Sequence, residues 1–140
     1  VMWDAIDCHI SRHLGWVACS FPAPELEFEH LRPMGTSHKS VYTGRMRHGF
    51  GQYYMGSDPL YFTVTCIFRM AHPPYVLGGA AIFAGFLKAA LSGAQRHSDV
   101  ELRRFINRYQ RRALFVGKAK ATAEVVEQQA SVWEARTASA

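Results

Sequence analysis

Two neighbouring runs without a charged side chain, in the middle of the chain, constrain its folding most. Residues 59–68 are ten in a row without a charge, and after Arg69-Met-Ala-His72 the run 73–87 again has none. A helix that crosses a bilayer needs ~20 predominantly apolar residues, so neither run spans comfortably alone. The plain alternative is a buried core helix. The preferred expectation is a membrane-interface or re-entrant pair of helices. Gly78, Gly79 and Gly85 would let backbones pack closely, and basic residues flank the segment.

At 140 residues the chain has room for one modest domain. With 49% of its residues apolar and 19% charged, an intrinsically disordered chain is excluded. Cys8, Cys19 and Cys66 form no C-x-x-C pair and no zinc spacing, which reads as thiols in a reducing compartment. The net charge of +5 leaves nucleic acid, anionic lipid and a phosphorylated ligand open as partners. Asp4, Asp7, His9 and His13 stand where a signal peptide would need a basic and then an apolar region. The chain starts at Val1 with residues that already read as helix, so we expect the C-terminal part of something longer.

The spacing of Trp3, Ile6, Ile10 and Leu14 predicts an opening helix, ended by Gly15. Residues 16–21 read as a short strand, broken by Pro22 and Pro24. Residues 25–30 alternate strictly and predict a second strand, with Leu26, Phe28 and His30 on its apolar face. A helix loosened by glycine is expected over roughly 40–55. Ser98-Asp-Val-Glu101 has the capping-box pattern and should open another helix. On that helix Leu102, Phe105, Ile106, Tyr109 and Ala113 make an apolar stripe among arginines. Such a helix either lies on an anionic cytoplasmic leaflet or packs against its own domain. Residues 121–140 read as a frayed helix or a loose end.

Four groups could carry chemistry. Asp4 and Asp7 sit at a helix start, where the dipole favours carboxylates whatever their role; the plain reading is that Asp4 caps and Asp7 supports. The functional one is a general base acting on an acceptor hydroxyl. His30, at a strand end before a loop with Gly35, Thr36 and Ser37, could ligate a divalent metal; a lone histidine on an apolar face is more often a core residue. His9 and His13 share a helix face but lack H-E-x-x-H and a third ligand, so zinc is rejected. Arg45, Arg47 and His48 could contact a diphosphate or a lipid phosphate, or form a solvated basic patch. There is no Walker loop, G-x-G-x-x-G or G-x-S-x-G.

In order and spacing, Trp3-Asp4-Ala-Ile-Asp7, a short helix, Gly15-Trp16, a strand, Phe21-Pro22 and then His30, Gly35 and Ser37 resemble the end of the catalytic domain of family 2 glycosyltransferases with the A-type fold. Counting back from Gly15 sets Asp4 on that family's catalytic aspartate. Trp3 stands where the family usually has Glu, and Asp7 falls one place after its second acid. The segments 53–60 and 74–80 look like a bacterial polysaccharide-assembly subgroup whose catalytic domain is followed by a membrane-associated helical tail.

The resemblance implies a mostly α chain with a short β element: the C-terminal fragment of an α/β glycosyltransferase domain, followed by apolar and amphipathic helices. Residues 1–57 would end the catalytic domain, 58–92 form apolar membrane-associated helices, 93–120 a basic amphipathic helix and 121–140 a flexible tail. It implies inverting transfer of a sugar from a nucleotide-sugar donor to a saccharide or lipid-linked acceptor, in exopolysaccharide biosynthesis. Asp4, with Asp7, would be catalytic, Arg45 and Arg47 would contact the donor diphosphate, and His30 would help hold the metal. That Mg or Mn ion would be ligated mainly by residues ahead of Val1, with the donor-binding half, so the piece should not catalyse alone. The implied location is the cytoplasmic face of the inner membrane, on an anionic surface. The alternative is a non-enzymatic membrane-surface module. A nucleic-acid binder fits poorly, because only the net charge argues for it.

Overall fold

The computed structural model describes residues 2–16, 25 and 40–138, with side chains through residue 131. Among the described residues there are six helices and no strand. They are α1 (Trp3–His13), α2 (Val41–Met55), α3 (Pro59–Met70), α4 (Val76–Leu91), α5 (Val100–Val116) and α6 (Lys118–Ala138).

This corrects the expected short β element. Of the two predicted strands only Trp16 and Glu25 are described, and neither is in a strand. A strand needs a partner strand to take its backbone hydrogen bonds, and the longer described segments satisfy their own backbones as helices.

The helix ends follow from local chemistry. Gly15 (φ 93) stops α1 as expected. The N-cap of α1, however, is Met2, without a side-chain cap, and Asp4 sits inside the first turn. Asp58 caps α3: its Oδ1 accepts from the N–H groups of Leu60 and Tyr61, both at 3.1 Å, with Pro59 at the first helical position. α5 starts one residue later than the capping-box reading. Asp99, not Ser98, is its cap, taking the Leu102 N–H at 2.9 Å. The predicted break at 120/121 is a continuous helix; the stop falls at Gly117 (φ 84).

α4 lies between α2 and α3, and glycine sets the distance. A Cβ on Gly49 would run into the Ile82 carbonyl oxygen and sit 2.8 Å from the Phe86 nitrogen. A Cβ on Gly85 would meet the Met46 backbone in the same way, so α2 and α4 touch main chain to main chain. Phe62, Cys66 and Ile82 fill the α3–α4 joint, with Phe86 stacked on Phe62 at 4.3 Å.

α5 is buried along the expected stripe. Leu102 and Ile106, each 1% exposed, join Phe105, Ile6 of α1 and Met55 of α2 in one cluster. Tyr109 and Ala113 pack with Ala121 of α6. Fully burying one such aliphatic side chain contributes roughly 1.5–3 kcal/mol. The stripe is thus buried inside the chain, as the packing reading of the basic helix expects. The α5–α6 hairpin is fastened outside by Arg112 and Glu124, paired through two bonds of 2.8 Å.

Candidate functional site

The expected acids lie on α1. Asp4 and Asp7 are both exposed, three residues apart, and so face a similar direction. His48 of α2 is half-buried, with its ring 3.4 Å from the Gln52 amide nitrogen. Burial depresses the basicity of His48, Arg69 and Arg45 depress it further, and Asp4 acts in the opposite direction. Asp4, Arg45 and Arg69 therefore all act electrostatically on one imidazole.

Arg45 and Arg47 do not form one clamp. Two residues apart on a helix, they are turned roughly 200° from each other. Arg45 donates to the Pro73 carbonyl at 3.4 Å, whereas Arg47 lines a separate hollow between α2 and α4 with Lys88 and Ser92. His30, Gly35 and Ser37 lie outside the described residues, as does Cys19. Among the described residues no group of three or more His, Cys, Asp or Glu converges to hold a metal.

A cleft that the sequence reading missed is the most built feature of the molecule. It has a volume of about 490 Å³ and opens between the α2–α3 corner and α5. Five arginines line it, Arg96, Arg103, Arg104, Arg108 and Arg111, and no acid does. Phe86, Pro59 and Val100 supply apolar wall. A signal was present: counted at 100° per residue, positions 103, 104, 107, 108 and 111 fall within a roughly 140° arc of α5, opposite its buried stripe.

The floor of the cleft is pinned by buried polar groups. Ser57 Oγ donates to Gln52 Oε1 at 2.6 Å and accepts from Gln110 Nε2 at 3.3 Å. The Asp58 N–H donates to Gln110 Oε1 at 2.7 Å, and Asn107 donates to the Gly56 carbonyl at 2.5 Å. Asp58 is 0% exposed and its Oδ2 takes the Arg111 Nε–H at 2.5 Å. Burial pushes its carboxyl up, but the Arg111 bond and the N–H groups of Tyr61 and Leu60 outweigh this and hold it below the usual carboxylate range.

Outside the cleft, the α3–α4 hairpin shows apolar side chains to solvent. Leu60, Val64, Ile67 and Phe68 form a stripe on α3; Val76, Leu77, Phe83, Leu87 and Leu91 are exposed on α4. Ile67 and Phe68 are each 61% exposed and Leu91 80%. Among the described residues no helix is long and apolar enough to cross a membrane.

The chain matches no protein-family model, no curated protein and no solved structure.

Proposed function

We propose that this chain is the acceptor-side, membrane-docking part of a nucleotide-sugar glycosyltransferase. It would work at the cytoplasmic face of the inner membrane, extending a saccharide or lipid-linked acceptor with inversion. The sugar-transfer half of this reading rests on the family 2 resemblance around Asp4. Asp4 is exposed, in the first turn of α1, and within reach of the charges around His48. In that role it would take the proton of the acceptor hydroxyl as the donor diphosphate leaves. The metal would belong to residues ahead of Val1 and to His30.

The docking half is carried by one observation: the exposed apolar stripes of α3 and α4 in a segment almost devoid of negative charge. From residue 30 to residue 98 the only acid is Asp58, and it is buried. Arg45, Arg47, Arg69 and Lys88 lie in the same stretch. Exposed apolar stripes in a stretch whose exposed charges are all positive suit the surface of an anionic bilayer. A helix pair lying in the interface also needs no spanning length.

Sedimentation with vesicles tests this. The chain should pellet with phosphatidylcholine–phosphatidylglycerol vesicles and much less with phosphatidylcholine alone. The double variant Ile67→Asp/Leu77→Asp should stay in the supernatant while its helical circular dichroism is unchanged. Equal pelleting of variant and parent would remove the α3–α4 face as the anchor. A non-enzymatic membrane module shares this observation; loss of sugar transfer on changing Asp4 separates the two.

A further inference from the structure

We propose that the arginine cleft between the α2–α3 corner and α5 is a binding site for a phosphate monoester or diphosphate group. The proposal stands on different residues from the docking reading and holds whether or not α3 and α4 meet a bilayer.

The charge count favours an anion. Of the five arginines, Arg111 is tied to Asp58 at 2.5 Å and Arg104 to Glu101 at 2.7 Å. Arg96, Arg103 and Arg108 have no carboxylate partner among the described residues. Three arginines without a carboxylate partner thus line one concave space whose lining holds no acid. Like charges gathered this way repel one another, and a bound dianion relieves that repulsion.

Two of the three are held in position before any ligand arrives. The Arg96 guanidinium lies over the Tyr53 ring, 4.5 Å from its centroid. Its segment is anchored there because the His97 N–H donates to the Tyr54 carbonyl at 2.8 Å. Stacking occupies the guanidinium face and leaves its N–H edge for an acceptor. Arg103 runs across Gly56, where a Cβ would stand 2.8 Å from its Cδ. Gly56 has φ 73, so glycine there serves both the α2 end and the arginine stem. The Arg103 Nε is buried and has no hydrogen-bond partner. Guanidinium groups also match phosphate oxygens in paired geometry, which an ammonium does not.

The space fits more than an inorganic ion. About 490 Å³ falls within the roughly 300–1,000 Å³ of small-molecule sites. Phe86, Pro59 and Val100 in its lining would take an apolar or sugar portion attached to the phosphate. The phosphate could be borne by a soluble molecule or by a lipid headgroup; the recognising chemistry is the same.

Two arms test the proposal and distinguish the sources. Isothermal titration with inorganic pyrophosphate, at fixed ionic strength, reads the soluble form. Sedimentation with vesicles containing phosphatidic acid, against phosphatidylglycerol vesicles of equal surface charge, reads the headgroup. Arg103→Gln and Arg108→Gln should each weaken one or both by at least tenfold. Lys120→Gln, which removes the same charge from exposed α6, should change neither by more than twofold. Arg108 is exposed, so its variant remains informative if Arg103→Gln folds poorly. Loss of pyrophosphate binding assigns a soluble ligand; loss of the phosphatidate preference alone assigns a lipid one. The proposal is overturned if the parent neither binds pyrophosphate saturably nor prefers phosphatidate. It is equally overturned if Lys120→Gln loses as much as the cleft variants.

Discussion

Gly49→Ala sets two effects of opposite sign against each other. Gly49 is in the interior of α2, and alanine there gains ~1 kcal/mol of helix propensity. Against this, the new Cβ would overlap the Ile82 carbonyl oxygen and lie 2.8 Å from the Phe86 nitrogen. An ordinary carbon contact lies at ~3.5–4.0 Å, so α2 and α4 must part by roughly 1 Å. Opening a packed joint by 0.5–1 Å forfeits about a quarter to a half of each affected dispersion contact. Overpacking costs ~1–3 kcal/mol where side chains give way; here only backbone can give way, so ~3 kcal/mol applies. The net loss is ~2 kcal/mol, a fall in Tm of roughly 6–10 °C for a chain of this size. Thermal unfolding followed by far-ultraviolet circular dichroism reads it, and Ala84→Gly on the exposed side of α4 calibrates propensity alone. Gly85→Ala should behave like Gly49→Ala, and the double variant should lose less than the sum, because both open the same joint. A Tm equal to or above the parent's would refute backbone contact between these helices.

Three further outcomes are expected. His9 is lowered to about 4 by burial first, then by Arg12 and Lys118. The unfolded chain therefore takes up this proton from about pH 6.5 downward while the folded one does not, so stability is full above that and falls toward pH 4. The loss by pH 5 should be ~2 kcal/mol in urea unfolding, and His9→Gln should flatten the slope; an unchanged slope in that variant would exonerate His9. Asp58→Ala removes the α3 cap and the Arg111 bond; because Arg111 remains largely in solvent, we expect a loss of ~2 kcal/mol by denaturant midpoint, and a loss below ~0.5 kcal/mol would mean the corner is not held by Asp58. Asp4→Asn, made in the protein together with the donor-binding half that the resemblance places ahead of Val1, should abolish sugar transfer and leave donor binding intact, with turnover and donor titration as the two readouts.

Where the sequence was legible, local rules and the core pointed the same way. Gly15 ended α1, the stripe from Leu102 to Ala113 was buried, and Gly79 and Gly85 proved to be points of close helix approach. In the sequence Gly49 marks only a weakness in its helix, because its partner Ile82 is distant in sequence. The cap of α5 slipped from Ser98 to Asp99 because the two neighbouring residues both suit an N-cap. The arginine cleft escaped for a tertiary reason. Its α5 members share a helix face, but Arg96 precedes that helix, and the Ser57–Asp58 floor is 53 residues from its α5 partners Gln110 and Arg111 in the sequence. Arg45 and Arg47 attracted notice as neighbours in sequence, yet helical geometry turns them apart. His30, on which the metal reading depended, lies outside the described residues.

The main-chain contact between α2 and α4 has a mechanical consequence. Side chains at a helix joint can change rotamer and let the helices slide; a peptide carbonyl resting on a glycine cannot. α2 ends directly in the Ser57–Asp58 corner, and α4 shares its other flank with α3. If the hairpin beds into lipid, the Ser57–Asp58 corner at the cleft floor is carried with it. The height of that corner above the headgroups would then be set by how deep α3 and α4 lie.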